Sequence, residues 1–310
     1  MREHDLSAEP THSRWNRALA PRLEIDSGDV VHFQCVDSSG AQVRAGMSAE
    51  EFLRIDRNRI HALTGPVLVR GARPGDVLEI EILDIAHQRW GWSSVTPGMG
   101  FLRERFHQPY LFTWELEAAE TRSLAPAVVP LRPFCGVMGV ARAVDGEIRT
   151  RAPGDFGGNM DVRDLCAGAR LWLPVFVDGA LFSCGDGHAA QGDGEVCING
   201  IECPLNVTLR FVLHRGDPLR GPLVASPPDT QSGGPAWVVV ESDEDALRAA
   251  RDATSRMVDL LVRLWGFTAI HAYILCSVAM HLRLSQVVND PMVTVSAAIA
   301  KHILPERRLF

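Results

Sequence analysis

Through the first two thirds of the chain the apolar residues recur with a period of two, in runs too short to form the stripe of a helix. DVVHFQCVD (29–37), GPVLVRG (65–71), DVLEIEILDI (76–85), RLWLPVFV (170–177) and LNVTLRFVL (205–213) are alternating or β-branched, and each is bounded by Gly, Pro or Asp. Each reads as a strand. Between them SSGA, GARPGD and LRGPLVASPPD carry turn and loop chemistry, with the Pro74-Gly75 pair the clearest case.

After GGPAWVVVES the period changes. Ser242 can cap a helix in which Leu247, Ala250, Thr254, Met257, Leu261 and Leu264 form the apolar stripe, and Gly266 can end it. A second helix is predicted from Thr268 through AIHAYILCSVAMHLRLSQVV. Strands followed by a helical hairpin predict an α+β fold that is predominantly β, with a sandwich or barrel-like β portion, and exclude a βαβ nucleotide-binding fold. One unit is expected: a β-rich catalytic portion over 1–240, with the hairpin and C-terminal segment of 241–310 packed on it.

A chain of 310 residues, 46% hydrophobic and 22% charged, has enough apolar material for a sizeable core. Its formal net charge of −7 argues against nucleic acid or an anionic membrane surface as partner, since both demand a positive excess. No run approaches the ~18 apolar residues of a membrane span, and the N-terminal MREHDLSAEPTHSRWNR lacks a signal-peptide core, so a cytoplasmic location is expected. The seven cysteines include no CxxC pair and several lie in apolar runs, which predicts buried reduced thiols. Lys301 is the one lysine. A mechanism built on a buried catalytic lysine would have to use it.

Chemistry concentrates in GDGHAAQGDGEV (185–196), which holds four glycines, three carboxylates and a histidine. Upstream, GGNMDVRDL (157–165) projects Asn159 and Asp161 from one side of an extended segment. If LWLPVFVDGALFSCGD forms a hairpin about Asp178-Gly179, the two stretches meet. Asp161, Asp186, His188, Asp193 and Glu195 then converge. Carboxylates gathered this way repel unless a proton or cation neutralises them. One imidazole among acids suits zinc, manganese or iron(II) better than calcium, and zinc is the expected ion. The residues alone also allow a polar, turn-rich loop whose acids are solvated. HExxH, GxSxG and Walker A sequences are absent, which leaves a metal-activated water as the economical nucleophile.

GGNMDVRDL, LPVFVDGALFSCGDGHAAQGDGEVCINGIE, HALTGPVLVRGARPGDVLEIEILDI, GWSSVTPGMGFL, GVMGVARAVDGEI and AYILCSVAMHLRLSQVVNDP together resemble the acetamidase/formamidase family over most of the chain. The resemblance implies hydrolysis of a short-chain amide to carboxylate and ammonia by a mostly β protein that binds a divalent metal. The chain departs from the family pattern at Asn199 and Gly200, where an alanine or threonine pair is usual. It departs again at Met99, where an aromatic is more common, and at Asn289 in VVND, where Val-Val-Asp is more usual. These changes bear on substrate more than on chemistry.

On this basis Asp161, Asp186 and His188 are the candidate ligands, with His188 also in the catalytic set. Glu195, placed before the apolar VCI, is the candidate general base, and Asp193 or Glu202 are the acids next in line. Asn159 and Gln191 are candidates to bind the substrate amide. The resemblance adds His61, which its own context would make a core histidine. Trp90 and Trp92 are core aromatics or the wall of a small pocket. The expected partners are a small-molecule amide and a second copy of the chain in a homodimer. A metal-tied scaffold without catalysis, or a small-molecule binding protein descended from an amidase, is the alternative.

Overall fold

Alternation along the strands decides how the layers stack. In Arg170–Pro174, Leu171 and Leu173 enter one core while Trp172 enters another, and Val238 and Val240 are likewise separated from Val239 in Ala236–Asp243. The computed structural model describes residues 1–216, 219–228, 234–307 and 309.

A nine-stranded sheet runs in the order Glu3–Leu6, Val30–Cys35, Leu205–His214, Val77–His87, Arg170–Pro174, Leu223–Ala225, Ala236–Asp243, Val293–Ala300, Met280–Gln286. A six-stranded sheet follows Pro153–Gly154, Gly157–Asn159, Phe134–Gly139, Phe182–His188, Leu63–Val69, Leu23–Ile25. Their inner faces share one core. There Phe182 of the smaller sheet lies edge-on to Phe211 and Phe33 of the larger, at 5.1 and 6.1 Å between ring centroids. Both sheets stay open, so the β portion is a sandwich and no barrel closes.

The five alternating runs all form strands, and other expectations need correction. Arg170–Pro174 and Phe182–His188 do not pair across Asp178-Gly179. They belong to different sheets, and the turn carries the chain from one layer to the other. LRGPLVASPPD is not turn throughout: Leu223–Ala225 is a strand, while Asp229 lies outside the described residues.

The second predicted helix is cut short. Ala246–Trp265 ends at Gly266 in a left-handed conformation, and Thr268 caps Ala269–Ala279. MHLRLSQ then leaves the helix and pairs as Met280–Gln286 with Val293–Ala300. An apolar run can be read at either period, and here the sheet edge supplies partners that an isolated helix lacks. The chain bends by 118° between the helices. Capping also differs, because Ser242 is already committed to a strand, where it meets Thr294 at 3.0 Å, and Asp245 caps instead. The buried stripe consequently runs through Ala249, Ala253, Met257, Leu260 and Leu261, leaving Leu247 exposed. Among the described residues no single helix is long and apolar enough to cross a membrane.

Candidate active site

Gly136, in the middle of Phe134–Gly139, is the point around which the acids assemble. Its strand is flanked by Gly157–Asn159 and Phe182–His188, and Cys135↔Gly187 with Val137↔Gly185 set Asp186 directly across from it. The carbonyl of Gly136 accepts hydrogen bonds from Met160 N at 3.1 Å and Asp161 N at 3.2 Å, which turns Asp161 inward. A Cβ on Gly136 would lie 2.5 Å from Asp161 Oδ1, 2.6 Å from Asp186 Oδ2 and 3.0 Å from His188 Cε1. Only a residue without a side chain leaves that space open.

Asp161, Asp186 and Glu195 all adopt left-handed backbone conformations, at φ 51°, 56° and 48°. Non-glycine residues seldom do, and such strain persists where surrounding structure enforces it, commonly at functional sites. For Glu195 the enforcement comes from its neighbour. Gly194 N donates to Ser285 O and Gly194 O accepts from Val287 N, at 3.1 Å each, clamping the glycine loop to the last edge strand.

Glu202 completes the group. Ala189 N donates to Ile201 O and Ile201 N to Ala190 O on one side, Cys203 N donates to Gly187 O on the other, and His188 and Glu202 face each other between them. His188 Nε2 is 3.0 Å from Glu202 Oε1, 3.7 Å from Asp186 Oδ1 and 3.8 Å from Glu195 Oε1. His61 Nε2 approaches Asp186 Oδ2 to 4.0 Å. With its amide turned to satisfy its neighbours, Asn159 donates to Asp186 Oδ2 at 3.0 Å and Asp161 Oδ1 at 3.3 Å. Asn289 Nδ2 donates to Asp161 Oδ2 at 2.6 Å.

These side chains are buried, and the cost of burying four carboxylates together appears in their protonation. Burial, reinforced by the Asp186 charge, raises Asp161 to about 7. Burial also pushes on Asp186, but the His61 and His188 charges outweigh it and hold Asp186 at about 2. Glu195 is driven well above the usual carboxylate range by burial and by Asp161, and burial likewise raises Glu202. Burial lowers His188, yet the Glu202 and Asp186 carboxylates overcome it and leave the imidazole well above its usual value.

The donor set fits a divalent cation. Ligand atoms of Asp161, Asp186 and His188 lie within 4.8 Å of one another, as do those of His188, Glu195 and Glu202. The Gly136 notch opens onto the first of these sets. Nδ1 of both His188 and His61 is buried with no hydrogen-bond partner, so each imidazole retains a nitrogen that no protein atom satisfies. Carboxylate oxygens and imidazole suit a borderline cation.

A cavity of about 120 Å³ reaches this floor, walled in part by Trp92, Phe52 and Met99. Trp90 is not among its lining residues. Of the remaining sequence candidates, Asp193 does not join the acids: it lies at the surface in an ion pair with Arg163 at 3.0 Å. Gln191 lines a neighbouring cavity of about 510 Å³, and its Nε2 donates to Asp161 O at 3.0 Å. Asn199 stands between the two cavities, accepting from Ser94 N at 2.8 Å. Gly200 is confined by Ala190 O, 2.7 Å from where a Cβ would sit. Sequence reasoning placed Glu202 only as a substitute and did not find Gly136 or a role for Asn289. Gly136 and Glu202 owe their positions to pairing with other strands and Asn289 its role to a contact with distant Asp161, for which the local sequence carries no signal.

The sequence pattern of the Acetamidase/Formamidase family matches residues 2–145 and 141–306. The chain belongs to this family. Among solved structures it resembles an acetamidase from Bacillus halodurans, with 35% identity and a TM-score of 0.89 over 96% of this chain and 98% of that one. A formamidase of Methylophilus methylotrophus is 29% identical over 61% of this chain. The chain spans 60% of that formamidase, and 63% of a Schizosaccharomyces pombe relative that is 29% identical over 64% of this chain.

Proposed function

We propose that this member of the acetamidase/formamidase family hydrolyses a small primary amide at a centre holding a divalent cation, zinc, on Asp161, Asp186 and His188. The supporting observation is the buried trio itself, with ligand atoms within 4.8 Å of one another beside the space left by Gly136. The names of the relatives point to the same reaction.

When bound, the cation would supply a Lewis acid that polarises the amide carbonyl and lowers the pKa of water. The chain supplies the rest. Glu195 Oε1 lies at the cavity floor and is placed to take the proton from the attacking water. As the C–O bond forms and the C–N bond breaks, the same carboxyl returns the proton to the departing nitrogen, so that RCONH2 and H2O give RCOO− and NH4+. Glu202 holds the His188 ring in orientation, and Asn159 and Asn289 hold the two aspartates. Substrate size is limited by the cavity of about 120 Å³.

A thiol nucleophile has no support from the site, because no cysteine lines this cavity among the described residues. Ser94 is engaged instead with Asn199 and Thr96. The experiment is elemental analysis of the purified protein together with ammonia release from a panel of primary amides. Near-stoichiometric metal with ammonia release that a chelator abolishes is the expected result. Metal without ammonia release from any amide would leave a metal-tied scaffold and overturn the proposal.

A further inference from the structure

The cavity above the acids has a second chemical character. Three arginines, Arg57, Arg149 and Arg151, line it together with the carboxylates and imidazoles of its floor. Among the described residues none of the three forms an ion pair. Arg57 lies over the Phe52 ring at 5.5 Å, Arg149 Nη2 donates to Asn58 Oδ1 at 2.8 Å, and Arg151 Nη2 donates to Val288 O at 3.1 Å. Elsewhere the fold matches comparable arginines with acids, as in Arg256 with Glu241 at 2.6 Å and Arg163 with Asp193 at 3.0 Å.

Gathering three like charges without a partner is unfavourable. Burial pulls Arg151 below its usual pKa; the Asp290 charge opposes this most, the charges of Arg149 and Arg57 add to it, and Glu195 opposes it more weakly. The arginines are not simple counter-ions for the floor. The acids take their hydrogen bonds and close charge contacts from His61, His188, Asn159 and Asn289. A formamide- or acetamide-sized molecule held at the floor has no group for the arginines to meet.

Resting on the amidase reading of the floor, we propose that the substrate is a primary amide carrying a second, anionic group, the monoamide of a short dicarboxylic acid. Its amide end meets the Asp161–His188 centre and its carboxylate meets Arg57, Arg149 and Arg151. Guanidinium forks match carboxylate oxygens in pairs, which gives both affinity and orientation. The reaction stays balanced: water adds oxygen to the amide carbon, ammonia leaves and takes a proton, and the distal carboxylate is unchanged.

The test compares ammonia release from succinamate with that from butyramide, a neutral amide of the same chain length. The expected kcat/KM is about tenfold or more in favour of succinamate, the scale of one charge-assisted contact. Added salt should narrow the preference. In Arg57→Gln/Arg149→Gln the ratio should fall toward one, with the loss carried by KM, and Arg57→Lys/Arg149→Lys should retain part of it. Equal or better turnover of butyramide, or an unchanged ratio in the glutamine variant, would overturn the proposal. Should neither amide be hydrolysed, calorimetry separates the two ideas. Succinamate binding that weakens in the glutamine variant would sustain the anion site while the amidase reading fails, and no binding would sink both.

Discussion

Asn289 Nδ2 donates to Asp161 Oδ2 at 2.6 Å, joining positions 128 residues apart and placing an amide where family resemblance leads one to expect a carboxylate. The geometry accounts for the asparagine: it also supplies Nδ2 to the Asn159 oxygen at 2.9 Å, so one donor steadies two members of the site. Asn289→Asp would remove that donor and set two carboxylates face to face. The variant is expected to lose about 1–3 kcal/mol of stability in chelator-treated protein, the scale of a buried polar group left unsatisfied. Denaturant titration checks it, and an unchanged midpoint would contradict the structural role.

Replacing Asp161, Asp186 or His188 singly with alanine is expected to deplete bound metal and abolish amide hydrolysis while the protein remains folded. Elemental analysis with circular dichroism reads both quantities. Full metal occupancy in all three variants would remove these residues from the ligand set.

Gly136→Ala is the smallest change that should reach the site. Its Cβ would fall 2.5 Å from Asp161 Oδ1 and 2.6 Å from Asp186 Oδ2, contacts that force both acids aside. Metal affinity should drop at least tenfold, because displacements below 1 Å already degrade a coordination set. A variant that binds metal as tightly as the parent would show that the notch is not needed.

Glu195→Gln keeps the size of the side chain and removes its ability to take a proton. Turnover is expected to fall by about 10²-fold or more with metal content retained, the range for loss of a positioned base. Glu202→Gln should instead disturb His188, which it faces at 3.0 Å, and weaken metal binding by about 10-fold or more. Measuring turnover and metal content in both variants distinguishes a base from a positioning residue. If Glu195→Gln turns over at the parental rate, the base is another acid.

Cys197 is the exposed thiol among seven cysteines, and it lines the cavity beside the site rather than the one above the acids. Brief alkylation of the native protein should therefore modify Cys197 alone, as read by peptide mass spectrometry, and change hydrolysis by no more than a few-fold. Complete inactivation together with an acyl adduct on a cysteine would overturn the assignment of water as nucleophile.

The sequence by itself determined the five alternating strands, the end of the long helix and most of the reactive groups. Period-two runs such as Val77–His87 keep one identity in any context, and Gly266 ends a helix because it tolerates the left-handed turn, at φ 72°. Local composition likewise brought forward Asp161, Asp186, His188 and Glu195, since glycine-spaced acids and a histidine are chemically distinctive without a fold. The tertiary structure decided what depends on distant partners. Met280–Gln286 is a strand because Val293–Ala300 offers it an edge, and Asp178-Gly179 crosses between layers because its two flanking strands find better partners elsewhere. Asp186 lies beside Asp161 because Phe134–Gly139 pairs with the strand that carries Asp186 and the strand that leads to Asp161, and contributes a glycine at the crossing. Asp193, as acidic as its neighbours in sequence, is turned out to Arg163. Hydrophobic period is a property of consecutive residues, whereas strand pairing and charge proximity belong to pairs far apart in the chain.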